Sequence, residues 1–157
     1  MPFAEILLIA LGLAMDAFAV SLAAATSGLA TRVPVAMNMS VHFGFFQFLM
    51  PLIGWRLGIE LVDYIDTFDH WVAFGLLLVV ALRMFQAGIH PDENRAVDPA
   101  HWPTLLALSV ATSIDALAVG LSLALLDVPI WRPSIIIGVV TTILSLVGVQ
   151  LGKRLGA

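Results

Sequence analysis

Long apolar segments alternate with short polar connections along the whole chain. Five of these segments are long enough to cross a bilayer, and they lie at approximately residues 3–28, 35–57, 70–89, 102–126 and 133–151. Because a bilayer offers no water to the backbone, each segment must satisfy its own backbone groups, which predicts helices. We therefore expect an all-α fold, a polytopic membrane helix bundle forming a single transmembrane domain over residues 1–157.

Composition agrees with this interpretation. The chain is 61% hydrophobic and 11% charged, which is more apolar surface than a soluble domain hides. It contains no cysteine, so disulfides and thiolate metal sites are excluded. With a formal charge of −4 and no basic cluster, the expected partner is a lipid bilayer and no nucleic acid. The first apolar run is too long for a secretory signal.

Basic residues predict the orientation in a cytoplasmic (inner) membrane. With the N-terminus outside, five basic residues lie on the cytoplasmic side and two on the outer side. This distribution follows the positive-inside tendency, although Arg83 falls within a span and counts weakly. The cytoplasmic set is Arg32, Arg83, Arg95, Lys153 and Arg154, and the outer set is Arg56 and Arg132.

Asp16 and Asp115 are acidic residues within otherwise apolar spans. A charge at the bilayer midplane costs about 2.5–3.5 kcal/mol on insertion scales, so both are functional candidates. Their surroundings also match, because at an offset of 99 several residues around Asp16 recur around Asp115. The second and fifth spans are related as well, since Gly44, Gly54 and Gly58 recur at an offset of 94.

These matches predict an internal repeat of three spans, with repeat one at about 1–90 and repeat two at about 101–157. A unit with an odd number of spans inserts its second copy upside down, so we expect inverted three-helix repeats with the binding site at the midplane. The second copy is incomplete, because the sixth helix expected after Lys153 and Arg154 is missing from the sequence.

Asp16 and Asp115 are the main candidates for a cation site. In an inverted pair they face each other at one depth, where two carboxylates share a proton or bind a cation. Oxygen ligands without thiolates suit Mg, Ca or Mn. The alternative is that each aspartate only hydrogen-bonds a neighbouring helix.

Other polar groups extend this candidate site. Thr112 shares a helical face with Asp115, and the repeat places Thr141 at the position equivalent to Gln47. Pro51 cannot donate to the Gln47 carbonyl, which predicts a kink with a free oxygen beside the Gln47 amide. The alternatives are ordinary helix packing for the hydroxyls and a repaired kink for Pro51.

Glycine pairs mark the expected close approaches of helices. Gly54 and Gly58, like Gly148 and Gly152, have the spacing that lets membrane helices pack backbone to backbone. We expect packing at these positions, together with a gating role if the helices slide there.

Three segments resemble the bacterial manganese efflux pump family of MntP type: residues 15–21 (MDAFAVS), 42–55 (HFGFFQxxMPLIGW) and 113–120 (SIDALAVG). The resemblance covers essentially the whole chain. It implies export of Mn²⁺ from the cell through two three-helix repeats, with roles for Asp16, Asp115 and Gln47. The chain departs from the family where the sixth helix is absent.

We therefore expect a membrane transporter, not an enzyme, that exports Mn²⁺ as substrate and needs no cofactor. Proton coupling is expected because expelling a divalent ion against the membrane potential costs about 2.3 kcal/mol per charge per 100 mV. Two alternatives stay open: an exporter of small organic solutes such as amino acids, and a non-transporting membrane subunit. Selectivity among divalent metals is undetermined, and a homo-oligomer is compatible with the sequence.

Overall fold

The computed structural model describes residues 1–30, 32–65 and 100–156, and every regular element in these ranges is an α-helix. The prediction of an all-helical bundle is confirmed. The predicted span at 70–89 lies outside the described residues. The helices are α1 (Phe3–Thr26), α2 (Val33–Ile65), α3 (Trp102–Ala111), α4 (Ile114–Leu125) and α5 (Trp131–Leu155).

Three helices are individually long and apolar enough to cross a membrane: α1, the first 28 residues of α2, and α5. Their outward surfaces are apolar, as a lipid-facing surface requires. On α5 the exposed hydrophobic residues recur every fourth position and form one stripe: Ile135, Val139, Ile143, Val147 and Leu151.

The predicted span at 102–126 is two helices rather than one. α3 and α4 meet at a break and are bent by 40° relative to each other, the geometry of either a broken span or a re-entrant loop. Thr112 ends α3, and Ser113, with φ −120° and ψ 9°, precedes α4. α2 continues as α-helix through Pro51, where the sequence predicts a kink.

Glycines bring α2 close to α4. A Cβ on Gly54 would collide with the carbonyl oxygen of Leu117, and one on Gly58 would lie 2.6 Å from the Cβ of Ala124. Gly120 on α4 packs equally closely on α2, since a Cβ added to it would collide with the carbonyl oxygen of Pro51. We call this contact the α2–α4 seam.

A second glycine contact joins α5 to α1. A Cβ on Gly148 would lie 2.7 Å from the carbonyl oxygen of Phe18, and one on Gly152 would lie 2.6 Å from that of Leu22. Real Cβ atoms do not approach backbone so closely, so only glycine fits at these two positions. We call this contact the α1–α5 seam.

The two seams occupy corresponding positions in the sequence. Gly148 and Gly152 follow Gly54 and Gly58 by 94 residues, and Leu117 follows Phe18 by 99. These are the offsets that align the two halves of the chain. α2 therefore packs on α4 through the same positions by which α5 packs on α1.

Candidate cation site

Gln47 lies at the centre of the described bundle and links three of its helices. Its side chain is completely buried on α2. Its amide nitrogen Nε2 donates to the carbonyl oxygen of Leu13 on α1 and to that of Thr112 at the end of α3, at 3.0 Å each. Because both partners are acceptors, the atom facing them must be the nitrogen. The amide oxygen therefore points elsewhere.

The amide oxygen Oε1 of Gln47 is buried and finds no hydrogen-bond partner among the described residues. Buried polar atoms in proteins are nearly always paired, with protein, with water or with a bound ion. A neutral oxygen in this condition is a candidate ligand for a hard cation.

The break between α3 and α4 supplies one of the two carbonyls that hold Gln47. In a continuous helix the Thr112 carbonyl would accept from the backbone N–H of Ala116. Here that N–H donates instead to Oδ1 of Asp115 at 2.8 Å, and the Thr112 carbonyl accepts from Gln47. The break therefore leaves the Thr112 carbonyl free to accept from Gln47. Asp115, in the first turn of α4, accepts from the Ala116 N–H in place of that carbonyl.

Asp16 lies on α1, and Asp115 lies in the first turn of α4. Asp115 is half-buried and Asp16 is exposed. Leu13, three residues before Asp16, and Ala116, next to Asp115, belong to one buried apolar cluster. The parts of α1 and α4 that carry the two aspartates therefore adjoin the same buried cluster.

The two threonines proposed as ligands differ. The Thr112 hydroxyl is directed along its own helix, with the carbonyls of Leu108 at 2.9 Å and Ser109 at 3.3 Å as acceptors. It is the Thr112 carbonyl that faces Gln47. Thr141 on α5 is fully buried, and its hydroxyl has no partner in the part of the chain that the structure describes.

A larger acidic cluster is not present in the described ranges, 1–30, 32–65 and 100–156, where no three His, Asp or Glu side chains gather to hold a metal. The candidate ligands are therefore two carboxylates and neutral oxygens. Two carboxylates carry the charge that balances one divalent cation.

The carbonyls of Leu13 and Thr112 were missed by the sequence analysis, which singled out the Thr112 side chain instead. The sequence does contain a signal for these two carbonyls. Leu13 and Thr112 are 99 residues apart, the offset that relates Asp16 to Asp115, so each carbonyl lies three residues before an aspartate. Gln47 bonds to both.

Comparison with known proteins identifies the family. The family model described as "Putative manganese efflux pump" matches residues 30–157. The chain belongs to this manganese efflux pump family. Similar relatives carry the name "Putative manganese efflux pump MntP". One from Syntrophotalea carbinolica is 45% identical over 95% of this chain and 80% of its own length.

Other members of the manganese efflux pump family are similarly close. A relative from Nitratidesulfovibrio vulgaris is 45% identical over 96% of this chain and 76% of its own length. One from Methanosarcina mazei is 44% identical over 99% of this chain and 84% of its own length. No solved structure matches the chain.

Proposed function

We propose that this protein exports Mn²⁺ across the cytoplasmic membrane and that Asp16, Asp115 and Gln47 bind the ion. The family supports the activity, since the relatives are named as manganese efflux pumps. The observation that carries the site is Gln47, which is held by two carbonyls, each three residues before an aspartate, while its own oxygen is buried and has no partner among the described residues.

The ligand chemistry suits the ion. Carboxylate and amide oxygens are hard donors of the kind that Mn²⁺ accepts, and the chain has no thiolate to favour softer metals. Thr141 is a further candidate ligand because its buried hydroxyl has no partner among the described residues. Thr112 contributes its carbonyl, which positions Gln47, rather than its hydroxyl.

Export proceeds by alternating access between two inverted repeats, with the N-terminus outside. Support comes from the glycine contacts, which recur at the repeat offsets. The contact of Gly54 with Leu117 corresponds to the contact of Gly148 with Phe18. Each seam joins a helix of one repeat to a helix of the other. Opening one seam while the other stays closed would expose the site to one side at a time.

Protons drive the export. Moving a divalent ion out of a cell with 100 mV across its membrane costs roughly 4.6 kcal/mol, at about 2.3 per charge. Carboxylates bind metal only when deprotonated, so Asp16 and Asp115 would take up protons when they release Mn²⁺. Exchange of metal for protons at one site gives antiport.

The experiment compares purified wild-type protein with Asp16→Asn and Asp115→Asn in vesicles, following Mn²⁺ with and without a proton gradient. Asp127→Asn is a matched control, because Asp127 is an exposed carboxylate outside the helices. We expect both site variants to lose transport and the control to keep it. Unchanged transport in both site variants would refute the proposed site. Equal transport with and without the proton gradient would refute antiport.

A further inference from the structure

Buried hydroxyl groups of the described bundle fall into two kinds. One kind bonds to a carbonyl of its own helix, as a hydroxyl within a helix commonly does. Ser109 donates to the carbonyl of Leu105 and Ser113 to that of Ser109, in each case four residues earlier. The other kind makes no such bond. Five hydroxyls are fully buried and have no partner among the described residues: those of Ser21, Ser40, Ser134, Thr141 and Ser145.

Three of these residues, Ser21, Thr141 and Ser145, lie at or next to the α1–α5 seam. Thr141, Ser145, Gly148 and Gly152 are spaced by four, three and four residues, so they share one face of α5. That face meets α1 at Ser21, since a Cβ on Gly148 would lie 3.3 Å from the Cβ of Ser21. Ser21, Thr141 and Ser145 therefore form a line of polar groups along this face of α5 and its contact with α1.

The line runs along α5 from Thr141, a candidate ligand, toward the end of the seam. Thr141 is the residue that the 94-residue offset relates to Gln47, and Ser145 lies one turn beyond it. Beyond Ser21 and Ser145, Gly148 and Gly152 bring the two backbones together and close the seam.

The α2–α4 seam has the same shape but different chemistry. The positions that correspond to Ser21 and Ser145 are Gly120 and Pro51, neither of which has a hydroxyl. Gly120 is pressed directly against the Pro51 backbone. Hydroxyls thus occur at these positions in only one of the two seams, and close packing alone does not require them there.

We propose that the α1–α5 seam is the hydrated passage by which the cation travels between its site and the side of the membrane where α1 ends. Buried hydroxyls without protein partners are normally satisfied by water. Their oxygens would replace part of the hydration shell as the ion enters. Separation of the backbones at Gly148 and Gly152 opens the passage, and the packing described here is its closed form.

The test uses the natural absence of cysteine. Single variants Ser21→Cys, Thr141→Cys and Ser145→Cys are placed in vesicles and treated with a charged, membrane-impermeant thiol reagent from each side. Ser109→Cys is the matched control, because Ser109 is equally buried but bonded to its own helix. Ser27→Cys, at the exposed end of α1, identifies the side on which α1 ends.

We expect at least two of the three seam cysteines to react about tenfold or more faster than the Ser109→Cys control, since thiol modification follows access to the thiolate. The reaction should come from the side that labels Ser27→Cys. Rates equal to the control, or reaction only from the opposite side, would overturn the passage. Only variants that elute like the folded wild-type protein are scored. Because three positions are tested, the result stays decisive if one variant does not fold.

This inference relies on the proposed function for the identity of the cargo, but labelling is measured without Mn²⁺. Labelled seam cysteines in a protein that moves no Mn²⁺ would retain the passage and refute the cargo. Mn²⁺ transport by a protein whose seam cysteines stay unreactive would retain the cargo and refute the passage.

Discussion

Gly44 of α2 and Gly138 of α5 lie backbone against backbone. A Cβ on Gly44 would be 2.8 Å from the carbonyl oxygen of Gly138, and a Cβ on Gly138 would be 2.9 Å from that of Gly44. The contact is reciprocal, and the two residues are 94 positions apart. A reciprocal contact between corresponding residues is what a two-fold relation between α2 and α5 produces, since on its axis a residue meets its own counterpart.

Replacing Gly44 by alanine should destabilise the bundle. The added methyl would collide with the Thr142 hydroxyl and press on the Gly138 carbonyl, and overpacking of this kind costs about 1–3 kcal/mol. Gly12→Ala is the control, because a Cβ there meets nothing within 4 Å and alanine is the better helix former. Thermal unfolding in detergent should place Gly44→Ala below wild type and Gly12→Ala at or above it. The reverse order would contradict the contact.

Substitutions of Gln47 separate its two roles. Gln47→Leu removes both donors and leaves the buried Thr112 carbonyl unpaired, which should cost about 1–3 kcal/mol of stability. It also removes the proposed ligand oxygen, so Mn²⁺ affinity should fall about tenfold, equivalent to about 1.4 kcal/mol.

Gln47→Glu loses the N–H donors but keeps an oxygen at the site. It should therefore lose stability in the absence of metal, as Gln47→Leu does, while still binding Mn²⁺ more tightly than Gln47→Leu. Calorimetric titration with Mn²⁺ and unfolding of the metal-free protein measure the two effects. Equal Mn²⁺ affinity in both variants would show that the Gln47 oxygen is not a ligand.

Thr112→Val tests whether the hydroxyl or the carbonyl of Thr112 matters. The hydroxyl is directed to Leu108 and Ser109 within its own helix, and valine keeps the carbonyl that receives Gln47. We expect nearly unchanged Mn²⁺ affinity and a loss of about 0.6 kcal/mol in stability, the usual size of such bonds in membrane helices. A large loss of Mn²⁺ affinity would instead make the hydroxyl a ligand.

Trp55→Phe should loosen the connection between α4 and α5. The indole Nε1 of Trp55 donates to the carbonyl oxygen of Val128 at 3.0 Å. This hydrogen bond links α2 to the segment between α4 and α5. Loss of one such bond costs about 0.5–1.5 kcal/mol. Trp131→Phe serves as the comparison, because Trp131 is 64% exposed. Unfolding measurements that show no difference between the two variants would mean that the Trp55 bond does not contribute.

The sequence by itself determined the helices and the chemistry of the candidate site. Bilayer thickness fixes how long an apolar run must be, so the positions of α1 and α5 could be read from hydrophobic length to within a few residues, whereas α2 continues to Ile65, past its predicted end at 57. The cost of a carboxylate in hydrocarbon singled out Asp16 and Asp115 without knowledge of any contact.

Only the tertiary structure decided where the helix breaks and what holds Gln47. Thr112 and Ser113 are compatible with an unbroken helix, so nothing local marked the break, while the proline that suggested one lies inside continuous α2. The partners of Gln47 are 34 and 65 residues away from it, and which carbonyls an amide meets at such separations depends on how the helices cross. Local sequence preferences do not determine that crossing, because it follows from close backbone packing at the glycines of both seams.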